Sequence, residues 1–537
     1  MALITELNED PQSFEEAMRS SESEQWKAAV TEELDSMTEN QVWEIVDRPK
    51  SRVGWKPNIL DSRMIFKKKR EVDGSFRYKA RLVIRGFKDK NEYELSEIYA
   101  PVSQISTIKA GFSLINKFDL DAYHLDVKTA FLHGELEEDE EIYMEIPEGI
   151  DMSPQERKSK VCKLRKSLYG LKQSPNRWNK KFAEIAAKLG FEHESIDPCL
   201  FFFRKKNFVC FLLLYVDDFL LAGNNKAKLL ELIEHFKREI KVVNLGEPKR
   251  YLGIEINRDR KNKRIVLGQS EYCGKVLERF GMANSKPQDT PMATRNAQKD
   301  ENKNMRAKEE EKRDITPCFP YREAIGSLLY LANLTRPDIS YAVNFLSRKQ
   351  ISPTNEDWTM VKRVFRYLNG TRELGLVYES KTEKLDGFAD ASFGDCPVTR
   401  KSTMGVIVKL FGDLVYWTSK RQGIIANSTC EAEYVALNQA TLELIAMNSF
   451  IRRAVGKTFT PFTLHGDNTA SIQCTAKSGS PKLKHLTDIK LHYILDCVTK
   501  GLVKLRWVPS GEQEADFLTK ALPRVKFLEF RKRLMSD

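Results

Sequence analysis

The chain has 537 residues, 41% of them hydrophobic and 30% charged, and its 87 Lys and Arg against 76 Asp and Glu leave a net charge of +11. That length holds several domains with real cores, and the charge balance favours a polyanionic partner. No apolar run is long enough to span a membrane, the acidic first ten residues lack a signal peptide's basic and apolar regions, and the 9 Cys stand singly without metal spacing, so an intracellular protein with reduced thiols is expected.

In chain order, residues 1–40 read as a helical extension. Ser23 is the expected N-cap, and Trp26, Val30, Leu34 and Met37 repeat at helical spacing over 24–37. The basic clusters Lys67-Lys68-Lys69-Arg70 and Lys79-Ala80-Arg81 flank strand-like sequence, with 76–85 alternating as a strand and 72–75 as a hairpin turn. Residues 121–127 predict a short strand leading into a helix, 176–189 a helix, 208–222 a hairpin of two apolar runs, and 251–257 another short strand. The almost wholly polar stretch 294–316 reads as a linker. Helices are predicted over 321–334, 337–350 and 355–370. From about 384 the order is strand, strand, strand, long helix, strand, helix, helix, strand, helix.

At the bend of the 208–222 hairpin stand two adjacent carboxylates, Asp217 and Asp218. Two unit charges about 4 Å apart repel by roughly 4 kcal/mol at an effective dielectric near 20 unless a cation lies between them. Oxygen ligands on a hairpin suit Mg²⁺; a tight turn with exposed Asp residues is the plainer reading. Asp126 ends the 121–127 strand, 91 residues earlier. It is either a third ligand brought in by the fold or a helix N-cap. Asp390, Glu433, Asp467 and Asp516 follow at gaps of 43, 34 and 49 residues, each on a different predicted element.

These residues lie in motifs that resemble the reverse transcriptases of copia-type LTR retrotransposons over nearly the whole chain. The motifs are Lys79-Ala80-Arg81-Leu82-Val83, Tyr99-Ala100-Pro101-Val102, Leu125-Asp126-Val127-Lys128-Thr129-Ala130-Phe131-Leu132-His133-Gly134, Leu168-Tyr169-Gly170-Leu171-Lys172-Gln173-Ser174-Pro175 and Tyr215-Val216-Asp217-Asp218. The downstream acids resemble the four-carboxylate site of ribonuclease H. The resemblance implies an α+β and α/β multidomain chain. A right-hand polymerase with fingers, ferredoxin-like palm and thumb would be followed by a helical connection and a ribonuclease H-like α/β domain. The expected limits are 41–260 for fingers and palm, 261–380 for thumb and connection with its linker at 294–316, 381–525 for the ribonuclease H-like domain, and 526–537 for a basic tail.

By position, the resemblance makes Asp126, Asp217 and Asp218 catalytic metal ligands, with Val127 beside them, and Asp390, Glu433, Asp467 and Asp516 the ligands of a second centre. Glu433 is preferred over Glu431 for its register with Tyr434-Val435-Ala436-Leu437. Phe131 would lie under the incoming sugar and exclude a 2′-hydroxyl, or is an ordinary core Phe. Tyr169, Gly170 and Tyr215 would line the nascent pair. Lys79 and Arg81 would contact the triphosphate, either of them equally well being a plain phosphate contact or solvated. Tyr251-Leu252-Gly253-Ile254 resembles a primer-gripping hairpin, with a plain strand as the alternative. His485 would be a helix-entry or phosphate contact, and 508–514 has no His to act near the last Asp.

The implied cofactor is Mg²⁺, two per centre, with Mn²⁺ as a substitute. The implied partners are an RNA template, a DNA primer, RNA/DNA hybrid and dNTPs, with an integrase and a Gag-type particle of the same element, and no membrane. The implied setting is a cytoplasmic virus-like particle, with the nucleus as a second location. The implied function is RNA- and DNA-directed DNA synthesis with cleavage of RNA in hybrids, as the C-terminal part of a polyprotein. Two alternatives stand beside it: an inactive remnant or co-opted nucleic-acid-binding protein, and a polymerase that makes RNA, which Phe131 opposes.

Overall fold

The computed structural model describes residues 10–51, 56–70, 75–137, 140–193, 197–294, 319–476 and 488–535. The expected turn at 72–75, all of the polar linker but Thr294, and His485 therefore lie outside the described residues, Ser75 excepted.

The N-terminal helix runs Ser23–Glu39, so Ser23 begins it rather than capping it. Glu22 holds the cap position without a side-chain cap bond, because its carboxylate is taken by Lys68 and by the Tyr78 hydroxyl at 2.8 Å. Trp26 packs edge-on against Phe66 and Tyr78, which fastens this helix to the basic hairpin Ser62–Arg70 and Phe76–Ile84.

A six-stranded sheet forms the middle of the first half, ordered Val242–Gly246, Asp121–Val127, Asp218–Gly223, Phe208–Tyr215, Leu200–Lys205, Glu192–His193. Its two central strands, Phe208–Tyr215 and Asp218–Gly223, are apolar apart from their ends at the Tyr215–Asp218 turn, because both faces are covered. Phe211, Leu213 and Leu220 face the helix Ile105–Lys117, while Leu212, Leu214, Phe219 and Leu221 face Trp178, Phe182 and Phe236. After Asp121–Val127 comes a 3₁₀ turn, Ala130–His133, and not the expected helix. Thr129 just before it has φ 55°, a left-handed backbone that interrupts regular helix.

Of the two readings of the stretch from Tyr251, a plain strand and a hairpin, the structure shows the hairpin, Arg250–Tyr251 with Ile254–Asp259. Leu252 and Gly253 take φ 50° and 79°, as a two-residue turn of the primed kind requires. A Cβ at Gly253 would fall 2.1 Å from the Tyr330 hydroxyl, so any other residue would have to push that side chain's tip aside. Tyr321–Leu334 and Asn355–Gly370 are helical as predicted, and 337–350 divides into a 3₁₀ turn Pro337–Ile339 and a helix Ser340–Ser347.

The C-terminal sheet is ordered Asp413–Arg421, Thr403–Leu410, Leu385–Ser392, Phe462–Gly466, Val503–Trp507. The first three strands are antiparallel and the last two join in parallel, with the long helix Thr429–Val455 packed on the sheet. Residues 526–537, expected as a basic tail, belong largely to the helix Arg524–Leu534. Phe527 and Phe530 are buried, Phe527 stacking on Phe517 at 5.0 Å, so the apolar positions dock the helix while Arg531, Lys532 and Arg533 fill its last turn. One continuous apolar core runs from the Ile105–Lys117 helix through the middle helices to this sheet.

Candidate active sites

The first centre is built by strand register. Tyr215 pairs with Asp218, so Val216 and Asp217 are the two turn residues, and Asp218 lies directly opposite Asp126 on the neighbouring strand. Val216 has φ 58°, a conformation that costs a β-branched residue about 1–3 kcal/mol. Two bonds hold it: Trp178 Nε1 donates to the Val216 carbonyl at 2.6 Å, and the Val127 amide donates to the Asp217 carbonyl at 2.8 Å.

The three carboxylates meet different surroundings. Asp126 Oδ2 lies 3.3 Å from Lys128 Nζ, and Asp218 Oδ1 lies 2.7 Å from His124 Nε2. His124 precedes Asp126 by two residues, the spacing that puts both on one face of the strand. Its ring stands edge-on to buried Tyr251, linking the centre to the 250–259 hairpin. Burial first, then repulsion from Asp218 and Asp126, pushes the Asp217 carboxyl above the usual carboxylate range. The ligand atoms of Asp126, Asp217 and Asp218 do not all lie within 4.8 Å of one another, but the all-oxygen chemistry of the three suits a hard divalent cation.

Beside this centre opens a cleft of about 500 Å³ lined by Arg77, Lys79, Arg81, Lys128, Thr129 and Tyr169, and on its other side by the acidic helix residues Glu32, Glu33, Asp35 and Glu39. The Arg81 guanidinium lies 5.3 Å from the Tyr169 ring, and Phe131 meets the same ring edge-on at 5.0 Å. Gly170 has φ 97°, and a Cβ there would fall 2.1 Å from the Ile84 carbonyl oxygen. Glycine is thus what lets Tyr169-Gly170 close against the basic hairpin.

The second centre lies at one edge of the C-terminal sheet. Phe388 pairs in parallel with His465, so Asp390 and Asp467, each two residues further on, emerge level with each other. Glu433 stands one turn inside the long helix, whose start Ser428 caps. Ligand atoms of Asp390, Glu433 and Asp467 lie within 4.8 Å of one another, the one such set of three among the described residues. Burial first raises the Asp390 and Glu433 carboxyls, with repulsion from Asp516 and Asp467 added at Asp390 and from Asp390 and Asp467 at Glu433. Glu431 is spent on the helix start, accepting from the Asn427 amide at 2.7 Å.

Asp516, in the 3₁₀ turn Glu514–Leu518, does not join the three. Lys520 Nζ lies 2.7 Å from its Oδ1 and Lys526 Nζ 2.8 Å from its Oδ2. The residue patterns read above did not pick out His124, Trp178, Lys520 or Lys526. For His124 and Lys520 a signal was present, the two-residue spacing from Asp126 and the four-residue spacing from Asp516. Trp178 and Lys526 act through tertiary contacts that spacing does not reveal.

Residues 40–294 match the family described as reverse transcriptase (RNA-dependent DNA polymerase). The chain is 37% identical over 96% of its length to the retrovirus-related Pol polyprotein from transposon TNT 1-94 of Nicotiana tabacum, covering 38% of that protein. It is 32% identical over 98% of its length to the corresponding polyprotein from transposon RE2 of Arabidopsis thaliana, covering 35%. The transposon Ty5-1 protein of Saccharomyces cerevisiae is matched over its whole length, at 31% identity and 60% of this chain. Thus the chain spans little more than a third of the longer relatives. With a family match over the first centre and full coverage of the yeast protein, the chain belongs to the reverse transcriptases of copia-type retrotransposon Pol polyproteins.

Proposed function

We propose that the chain copies RNA or DNA into DNA from dNTPs at the first centre, and cleaves RNA in RNA/DNA hybrids at the second. The observation that carries this reading is the register placing Asp126 opposite Asp218 at a hairpin whose turn holds Asp217. The gathered Asp390, Glu433 and Asp467 support the second activity. Divalent ions, two at each centre, would be held by Asp126, Asp217, Asp218 and the Val127 backbone, and by Asp390, Glu433, Asp467 and Asp516. When bound, they supply Lewis acidity that activates the attacking hydroxyl or water and neutralises charge on the leaving oxygen.

The chain's own residues bind and orient. Lys79 and Arg81 meet the triphosphate from the cleft wall, and Phe131, braced on Tyr169, lies under the sugar. Gly170 lets the backbone approach the nascent pair, and Tyr215 borders the carboxylates. The template, primer and hybrid are polyanions, in keeping with the net charge of +11.

Primer extension on an RNA template and cleavage of a labelled hybrid, with Mg²⁺, test both halves. Wild type should do both, Asp217→Asn should lose extension alone, and Asp390→Asn should lose cleavage alone. A folded wild type that does neither returns the chain to an inactive remnant or a nucleic-acid-binding protein. Incorporation of rNTPs as readily as dNTPs would overturn the role given to Phe131.

A further inference from the structure

At the second centre three carboxylates gather for one cation, while the fourth faces a lysine. Lys520 Nζ is 2.7 Å from Asp516 Oδ1 and 3.7 Å from Asp390 Oδ2, so a single ammonium spans the two carboxylates. The Asp390 and Asp516 side chains are 4% and 2% exposed, whereas that of Lys520 is 44% exposed. The ammonium therefore enters from solvent and caps a buried anionic pair. Lys526 is different in kind. Its ammonium is also anchored by the Ser510 carbonyl at 2.9 Å, and it touches Asp516 from the other oxygen. The Thr519 hydroxyl donates to Asp390 Oδ2, which holds that carboxylate toward Lys520.

Buried carboxylates left without compensation are strongly destabilising, so Asp390, Glu433 and Asp516, with half-buried Asp467 beside them, need a nearby cation. Lysine suits a cation that must also leave: it is a compact charge on a flexible stem, and rotation about side-chain bonds withdraws it into water.

Resting on the ribonuclease H reading of this centre, we propose that Lys520 is a displaceable counter-cation. It occupies the Asp390–Asp516 position until a second divalent ion takes its place. Among the described residues no lysine bridges Asp390, Glu433 and Asp467 in this way, so the two ions bind with unequal affinity and Lys520 sets the difference. Lys520 is a positioning residue here, acting through the carboxylates it holds.

Mn²⁺ titration by calorimetry and electron paramagnetic resonance tests this on the full chain carrying Asp126→Asn and Asp217→Asn, which weaken the first centre. Two Mn²⁺ should bind at the second centre, and Lys520→Met should tighten the weaker one about tenfold or more, while Lys520→Arg should not. In EDTA, Lys520→Met should melt below the parent, with the gap closing in Mn²⁺. If Lys520→Met fails to fold, Lys520→Gln gives the same comparison. Superimposable isotherms for the parent and the Met or Gln variant overturn the proposal. Hybrid cleavage by the wild-type chain is scored separately. No cleavage with a tightened second ion sinks the ribonuclease H reading and keeps the counter-cation, and cleavage with unchanged isotherms does the reverse.

Discussion

Lys109 Nζ lies 3.3 Å from the centroid of the Trp417 ring, joining the helix behind the first centre to the edge strand of the C-terminal sheet. The same ammonium donates to the Asn333 carbonyl at 2.9 Å, and Trp417 Nε1 donates to the Ala332 carbonyl at 2.8 Å, so the two halves and a middle helix meet at one point. Burial drives the Lys109 amine well below its ordinary value of 10.5. The folded protein then binds fewer protons than the unfolded one below that value, so stability rises with pH through this window and is lost as pH falls through the folded value. Urea unfolding of wild type and Lys109→Met at neutral and mildly alkaline pH should show wild type gaining on the variant as pH rises. Parallel curves would refute it.

Phe450, on the long C-terminal helix, inserts between Phe202 and Phe211 of the central sheet, with ring centroids 6.3 and 5.8 Å away. Truncating a buried Phe costs about 3–5 kcal/mol through lost transfer energy and the cavity left behind. Phe450→Ala should therefore lower the unfolding free energy from urea denaturation by about 3–5 kcal/mol and reduce both primer extension and hybrid cleavage. Loss of cleavage alone, with unchanged unfolding, would show that the halves are energetically independent.

The sequence made legible what local chemistry dictates. Helical spacing marked Tyr321–Leu334 and Asn355–Gly370, and the strands and helices after 384 succeed one another along the chain as read, though their order within the sheet was not. Acids at strand ends marked both centres, and their order along the chain made the family resemblance specific. What stayed hidden depends on contacts distant in sequence. Ser23 lies inside the helix because the helix begins one residue earlier than the sequence suggested, after Glu22, whose carboxylate is held by Lys68 and Tyr78. The helix expected after Asp126 gave way to a 3₁₀ turn behind a left-handed Thr129. A run of arginines and lysines near the C-terminus read as a tail because charge masked the spacing of Phe527, Phe530 and Leu534.

Trp178 and Val216 make a local prediction. The indole holds the carbonyl of a strained turn residue, and a buried carbonyl stripped of its donor costs about 1–3 kcal/mol. Trp178→Phe keeps most of the packing against Phe182 and removes only the donor. Primer extension should fall about tenfold or more as the Asp217 turn loosens, with hybrid cleavage unchanged. Equal loss of both activities would mean a general folding defect.

Lys79 and Arg81, indistinguishable in sequence, differ in their surroundings. Burial first, then Arg81, Lys69 and Lys128, lowers the Lys79 amine, a cation crowded by its own kind on the basic wall of the cleft. Lys79→Ala should raise KM for dNTP about tenfold while leaving thermal stability level or slightly higher, because a repulsion is removed along with the phosphate contact. Arg81 also stacks on Tyr169, which in turn braces Phe131. Arg81→Ala should therefore raise KM and lower kcat as well, and Arg81→Lys should restore little, since lysine keeps the charge but not the planar face. Steady-state kinetics on a homopolymer template separates the two residues. If both alanine variants change KM alone and to the same extent, the Tyr169 contact contributes nothing to catalysis.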